Sequence, residues 1–134
     1  MLLLAPLVAA LLVFAAPDTR PLPPPGLVNG ATAQQLQARG VTVLDVRTAQ
    51  EFESGHVPGA INIPYDQVGS RSAEMGAKAR PVLLYCRSGR RSGIAAAELV
   101  KQGFTAVYDF RSLSDWPGTV EKGPAKASAP TQAR

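Results

Sequence analysis

Residues 86–92 read Cys86-Arg87-Ser88-Gly89-Arg90-Arg91-Ser92 and contain the only cysteine of the chain. Three arginines and a glycine crowd one thiol. The thiolate is the nucleophilic form of cysteine, and nearby cations lower the pKa at which it forms. Gly89 opens backbone conformations closed to other residues. Successive N–H groups in such a turn make an anion-binding nest. These residue types fit a nucleophile that handles anions. The alternative is a buried thiol that behaves as a small hydrophobe.

The flanking elements decide between the two. "PVLLYC", residues 81–86, is a nearly all-apolar run suited to a buried strand. "SGIAAAELVKQG", residues 92–103, reads as a helix with Ile94, Ala95, Leu99 and Val100 apolar and Gly103 as its stop. Cys86 is therefore placed at the carboxyl end of a strand, with a loop over residues 87–91 and a helix opening near Ser92. Open α/β sheets bind ligands beyond the carboxyl ends of their strands. A helix N-terminus adds about half a positive charge there. This placement favours a reactive thiol over a packing one.

The remaining elements supply the scaffold. Thr32 is expected to cap a short helix over residues 33–38, closed by Gly40. "VTVLDV", residues 41–46, is a β-branched run fit for a buried strand. Thr48 caps a second helix, with Glu51 three residues on as in a capping box, and that helix ends near Gly55. "AINI" is a short strand stopped by Pro64, and "AVYDF" is a fourth. Strands alternating with helices imply an α/β fold with a parallel sheet covered on both faces.

The chain of 134 residues amounts to one domain. Its net charge of +4 suits small anions or acidic surfaces, whereas nucleic acid is not indicated because no basic run exceeds two residues. Residues 1–16 carry no charged side chain. That run is short for a membrane-spanning helix, and Ala15 offers a small residue for cleavage. A signal peptide over residues 1–15 is expected, with export to a bacterial periplasm. The alternative is an uncleaved anchor facing the same compartment, the one case in which a membrane is a partner. Exported cysteines are usually paired, so a single one suggests a free reactive thiol or an intermolecular link. Residues 17–26 hold five prolines and read as an extended spacer, with the Pro-rich linker assigned to residues 16–25. The folded domain is expected over residues 26–122 and a disordered tail over residues 123–134. His56 is the only histidine and reads as a structural residue that bonds backbone in a turn. One Cys and one His do not make a metal ligand set, and no cofactor is called for.

"LDVRTAQEFESGHVPGAINIP" and "LLYCRSGRRS" together resemble the two signatures of a single rhodanese (sulfurtransferase) domain, in the right order and over nearly the whole folded part. The resemblance implies a central parallel sheet of about five strands with helices on both faces. It also implies that Cys86 takes sulfane sulfur from a donor such as thiosulfate and holds it as a persulfide. The outer sulfur then passes to a thiophilic small molecule or a protein thiol. Backbone amides of Arg87, Ser88, Gly89, Arg90, Arg91 and Ser92 are the expected cradle for that anion. Arg87 and Arg91 are the expected side-chain contributors, while Arg90 is balanced between that role and a solvated loop charge. Asp45, Arg47 and Glu51 are expected to form one charged network at the loop end of the sheet. Phe52, Ile61 and Tyr85 read as packing residues. The sequence departs from the family where many members carry Gly-Gly after the last strand. Arg111 and Ser112 stand there instead, with Trp116 as the following aromatic.

Three other readings remain. A cysteine phosphatase needs an arginine six positions after the cysteine, where this chain has Ser92, and an arsenate-reducing relative of that chemistry shares the difficulty. A rhodanese-like domain can also serve as a noncatalytic binding module, or as a persulfide carrier for one protein partner. Thiol redox work would lack a resolving cysteine in the chain.

Overall fold

Side chains along a strand point alternately to opposite faces of a sheet. That rule sorts the apolar run ending in Cys86 into two sets, and the structure buries both. The structure is a computed structural model and describes residues 12–126. Its elements in chain order are β1 (Gly26–Leu27), α1 (Gly30–Ala38), β2 (Thr42–Asp45), α2 (Ala49–Ser54), β3 (Ile61–Asn62), α3 (Val68–Arg71), β4 (Val82–Cys86), α4 (Arg90–Lys101) and β5 (Val107–Ser112). Short 3₁₀ turns flank α3 at Tyr65–Gln67 and Ser72–Met75, and another follows β5 at Leu113–Asp115.

The five strands form one parallel sheet in the order β1-β5-β4-β2-β3. On one face Val43, Leu83, Tyr85, Tyr108 and Phe110 join Leu36 of α1, Phe52 of α2 and Trp116 in a buried cluster. On the other face Leu44, Val82, Leu84, Cys86 and Val107 meet Val68 of α3, Met75, and Ala95 and Leu99 of α4. Burial on both faces is why the strands read as continuous apolar runs. Phe52 is buried in the first cluster, and Ile61 is half-buried against the second. The first strand is only two residues long and pairs with β5 at the sheet edge. Just before it, the Pro23 carbonyl accepts a hydrogen bond from the Tyr108 hydroxyl at 2.7 Å.

Two helix starts differ from the sequence reading. α1 begins at Gly30, and its cap is Asn29, whose Oδ1 accepts from the Thr32 amide at 2.8 Å. Thr32 therefore supplies the amide and not the capping oxygen. Gly30 is fixed by a tertiary contact, since a Cβ there would stand 1.7 Å from the Asp115 carbonyl oxygen. Backbone cannot yield as a flexible side chain can. Gly30→Ala is expected to cost about 1–3 kcal/mol, as overpacked sites do. Urea unfolding of the two proteins checks this, and an unchanged midpoint would contradict it.

α4 opens at Arg90, two residues before the expected start. Gly89 caps it in a left-handed conformation, φ +100°. The loop after the cysteine is thus only Arg87 to Gly89. Arg90, Arg91 and Ser92 form the first turn of the helix, the turn whose N–H groups have no intrahelical partner. α2 follows the sequence reading closely: Thr48 caps it, the Glu51 side chain closes the capping box, and Gly55 ends it.

Candidate active site

Cys86 ends β4 with its side chain on the α4 side of the sheet and is fully buried. The Gly89 amide donates to its Sγ at 3.0 Å. The Ser92 Oγ lies 3.5 Å from the same sulfur and donates to the Gly89 carbonyl at 3.2 Å. Burial pushes the thiol pKa up. The hydroxyl and amide of Ser92 and the amides of Gly89 and Ser88 outweigh it, so Cys86 ionises below an ordinary thiol. The local geometry follows from sequence: Gly89 permits the left-handed turn that folds the loop back over the sulfur, and the helix begins at once behind it.

The Gly89 amide is hydrogen-bonded to the sulfur, and the amides of Ser88 and Ser92 also favour its anion. The three arginines divide. Arg87 and Arg90 are exposed. Arg91 reaches forty positions back to Glu51, with both guanidinium nitrogens on the two carboxylate oxygens at 2.7 and 2.8 Å. This corrects the expected network of Asp45, Arg47 and Glu51. Arg47 instead forms its own buried pair with Asp45, at 2.6 Å, and donates to the Gly55 carbonyl. Glu51 turns to the helix that carries the active loop. The reason is positional: the early start of α4 places Arg91 in its first turn, opposite the first turn of α2.

The Glu51–Arg91 pair ties the two helix starts together. The Arg91 guanidinium, with help from the Thr48 amide and hydroxyl, holds the Glu51 carboxyl at about 2, against 4.5 for an ordinary glutamate. A carboxyl whose pKa is lower in the folded state stabilises the fold above its unfolded value and loses that contribution as pH falls. The stability difference between the wild type and Glu51→Gln is therefore expected in full above pH 4.5 and should vanish as pH falls through about 2. Both side chains are partly exposed, so the difference is only about 0.5–1 kcal/mol. Denaturant midpoints across that range test the sign.

His56 is buried, stacks on Phe52 with ring centres 3.6 Å apart, and donates Nδ1–H to the Phe52 carbonyl at 2.8 Å. Its backbone bridges to Glu121. It is a structural histidine, as its turn context suggested. Tyr85 is buried beneath Phe110, and its hydroxyl accepts from the Val57 amide at 3.0 Å. Burial and the nearby Asp45 push that phenol well above its usual range, so it stays neutral.

An open cleft of about 610 Å³ lies beside the loop, lined by Arg47, Glu51, Ser54, Arg87, Ser112 and Ser114 among others. A second hollow of about 320 Å³ lies between α1 and the chain before β1, where Asp18 meets Arg20 and Arg39. It carries none of the residues 86–92. The segment at Arg111 and Ser112, where the sequence departs from the family, forms the cleft's far wall. Ser112 closes it by donating its hydroxyl to the Arg87 carbonyl at 2.7 Å, a contact across the two strand ends.

This arrangement has known counterparts. A model of the rhodanese-like domain matches residues 29–116. The thiosulfate sulfurtransferase GlpE of Pseudomonas entomophila is 36% identical over 106 residues, covering 74% of this chain and 94% of that protein. The chloroplastic thiosulfate sulfurtransferase 16 of Arabidopsis thaliana is 34% identical over 122 residues, covering 81% and 94%. Among solved structures, a rhodanese with anions from E. coli superposes with a TM-score of 0.60 at 36% identity, covering 63% of this chain and all of that one. With its parallel five-stranded sheet and a cysteine held in a turn of amides at a helix start, the chain belongs to the rhodanese-like domain family.

Proposed function

We propose that this protein is a sulfurtransferase working through a persulfide on Cys86. The observation that carries the reading is the buried sulfur with the Gly89 amide 3.0 Å away, under hydrogen bonds that favour its anion. Family membership and the similarity to enzymes named thiosulfate sulfurtransferases support it. In the first step the Cys86 thiolate attacks the sulfane sulfur of thiosulfate. An S–S bond forms to Cys86, the sulfane S–S bond breaks, and sulfite leaves with the electron pair. The persulfide keeps the negative charge that the thiolate brought. In the second step a nucleophile such as a thiolate or cyanide takes the outer sulfur, and Cys86 regains its electron pair. No metal or organic cofactor enters either step.

The residues divide the work. Ser88, Gly89 and Ser92 hold the anionic sulfur. A persulfide places its outer atom about 2 Å beyond Sγ, where other amides of the short loop and the first turn of α4 join the cradle. Arg87 lines the cleft and attracts the dianionic donor. Arg90 is exposed and adds to the same field. Arg91, committed to Glu51, acts as a strut that fixes the helix start.

Steady-state kinetics with thiosulfate and a thiol acceptor test the scheme. A covalent intermediate gives parallel double-reciprocal lines. Intersecting lines would point to direct transfer in a ternary complex. Export to a bacterial periplasm is part of this proposal and rests on the apolar run at residues 1–15, most of which lies outside the described residues. N-terminal sequencing of protein recovered from the periplasm should begin at residue 16.

A further inference from the structure

β5 carries one residue more than β4 allows. Leu84 pairs with Asp109 and Cys86 with Ser112, so three steps on β5 match two on β4. The extra residue makes a bulge beside the cysteine. Within it Arg111 adopts φ +69°. It is the only non-glycine residue with a positive φ among the described residues. Such a conformation costs an ordinary L-residue about 1–2 kcal/mol. A glycine would take it freely, and this chain has an arginine. Strain of this kind persists only where its surroundings enforce it.

The surroundings are on both sides of Arg111. Its amide donates to the Asp109 carboxylate at 2.8 Å. Its side-chain stem lies over Gly89. A Cβ built on Gly89 would stand 3.1, 3.3 and 3.4 Å from the Cβ, Cγ and Cδ of Arg111. Gly89 is the residue whose amide meets the Cys86 sulfur. A bulge on one strand thus presses an aliphatic stem onto the turn that follows the neighbouring strand.

We infer that Arg111 is a positioning residue for the sulfur cradle: its left-handed backbone aims the side-chain stem at Gly89, and that contact holds the Gly89 amide against Cys86. The stem, not the charge, carries the effect. The guanidinium sits on an exposed residue where solvent and salt screen it. Arg91 is committed to Glu51 and Arg47 to Asp45, while Asp109 accepts the Arg111 amide. The inference rests on the proposed role of Cys86 as the sulfur-bearing residue.

The test reads thiol ionisation and not sulfur transfer, so it stands apart from the enzymatic reading. The rate of Cys86 alkylation by iodoacetamide is followed against pH for the wild type, Arg111→Gly, Arg111→Asn and Arg111→Met. Gly and Asn accept the left-handed backbone but lack the stem; Met keeps a stem without charge. Arg111→Gly and Arg111→Asn are expected to move the midpoint up by about 0.5–1 pH unit, as loss of a hydrogen bond to the thiolate would. Their melting temperatures should not fall, because the strain is relieved. Arg111→Met should keep the wild-type midpoint. Superimposable profiles for all four folded proteins would overturn the inference. An Arg111→Met shift as large as that of Arg111→Gly would overturn it too, by assigning the effect to charge. Failure of sulfur transfer with the expected alkylation shifts would sink the enzymatic reading and leave the positioning role intact.

Discussion

Cys86→Ser is expected to lower thiosulfate turnover by at least about 10⁴-fold, in line with losses on removing an enzyme nucleophile. Serine is close to cysteine in size, and the Gly89 amide and Ser92 hydroxyl that meet the sulfur can meet an oxygen instead. The fold should therefore survive with a penalty of about 1 kcal/mol for a hydroxyl in an apolar cluster. The hydroxyl cannot substitute as nucleophile, because nothing here lowers its pKa enough to ionise it near neutrality. Near-UV circular dichroism and thermal melting separate loss of chemistry from loss of fold. A folded serine variant that still turns over thiosulfate would remove Cys86 from the mechanism.

Gly89→Ala is the second large effect. Two costs fall on one methyl group. The backbone sits at φ +100°, where an L-residue pays about 1–2 kcal/mol. The new Cβ would also stand 3.1 Å from the Arg111 Cβ, tighter than ordinary contact. The turn can relieve both by rotating, and rotation carries the amide off the sulfur. Loss of one donor to an anionic centre costs enzymes about 10²–10³-fold in kcat. We expect a fall of about 10²-fold in kcat and a shift of the pH–rate profile to higher pH, because the lost N–H favoured the thiolate. Arg90→Ala, at an exposed position of the same segment, should change kcat only a few-fold and serves as the control. Wild-type kcat in Gly89→Ala would mean that this amide does not support the reaction.

These effects concentrate on residues of very different legibility. The Thr48–Glu51 capping box and the apolar strand ending in Cys86 depend on local patterns, and both stand in the structure as the pattern implies. Gly89 announced itself as well, since only glycine explains a sharp turn at that point. Gly30 did not. It is needed because the Asp115 carbonyl lies against it, and no local pattern encodes a contact eighty-five residues away. The Glu51–Arg91 pair was missed for the same reason. In the sequence Glu51 reads with Asp45 and Arg47, and Arg91 with the bound anion, and the geometry of two helix starts chose otherwise. Residues 65–75 form short helical pieces of three or four residues each, below the length at which helical periodicity can be read. Arg111 is the hardest case. Its type argues against a left-handed backbone, and the one hint was its place where many rhodanese domains carry Gly-Gly; the register of the strands around it shows the conformation.

The central claim is that Cys86 carries the transferred sulfur, and an intact mass measures it directly. The purified domain is incubated with excess thiosulfate, freed of donor, and weighed. The account predicts a gain of one sulfur atom, about 32 Da, that disappears on treatment with cyanide and is absent from Cys86→Ser. A well-folded protein with a reduced thiol and no added mass would contradict it.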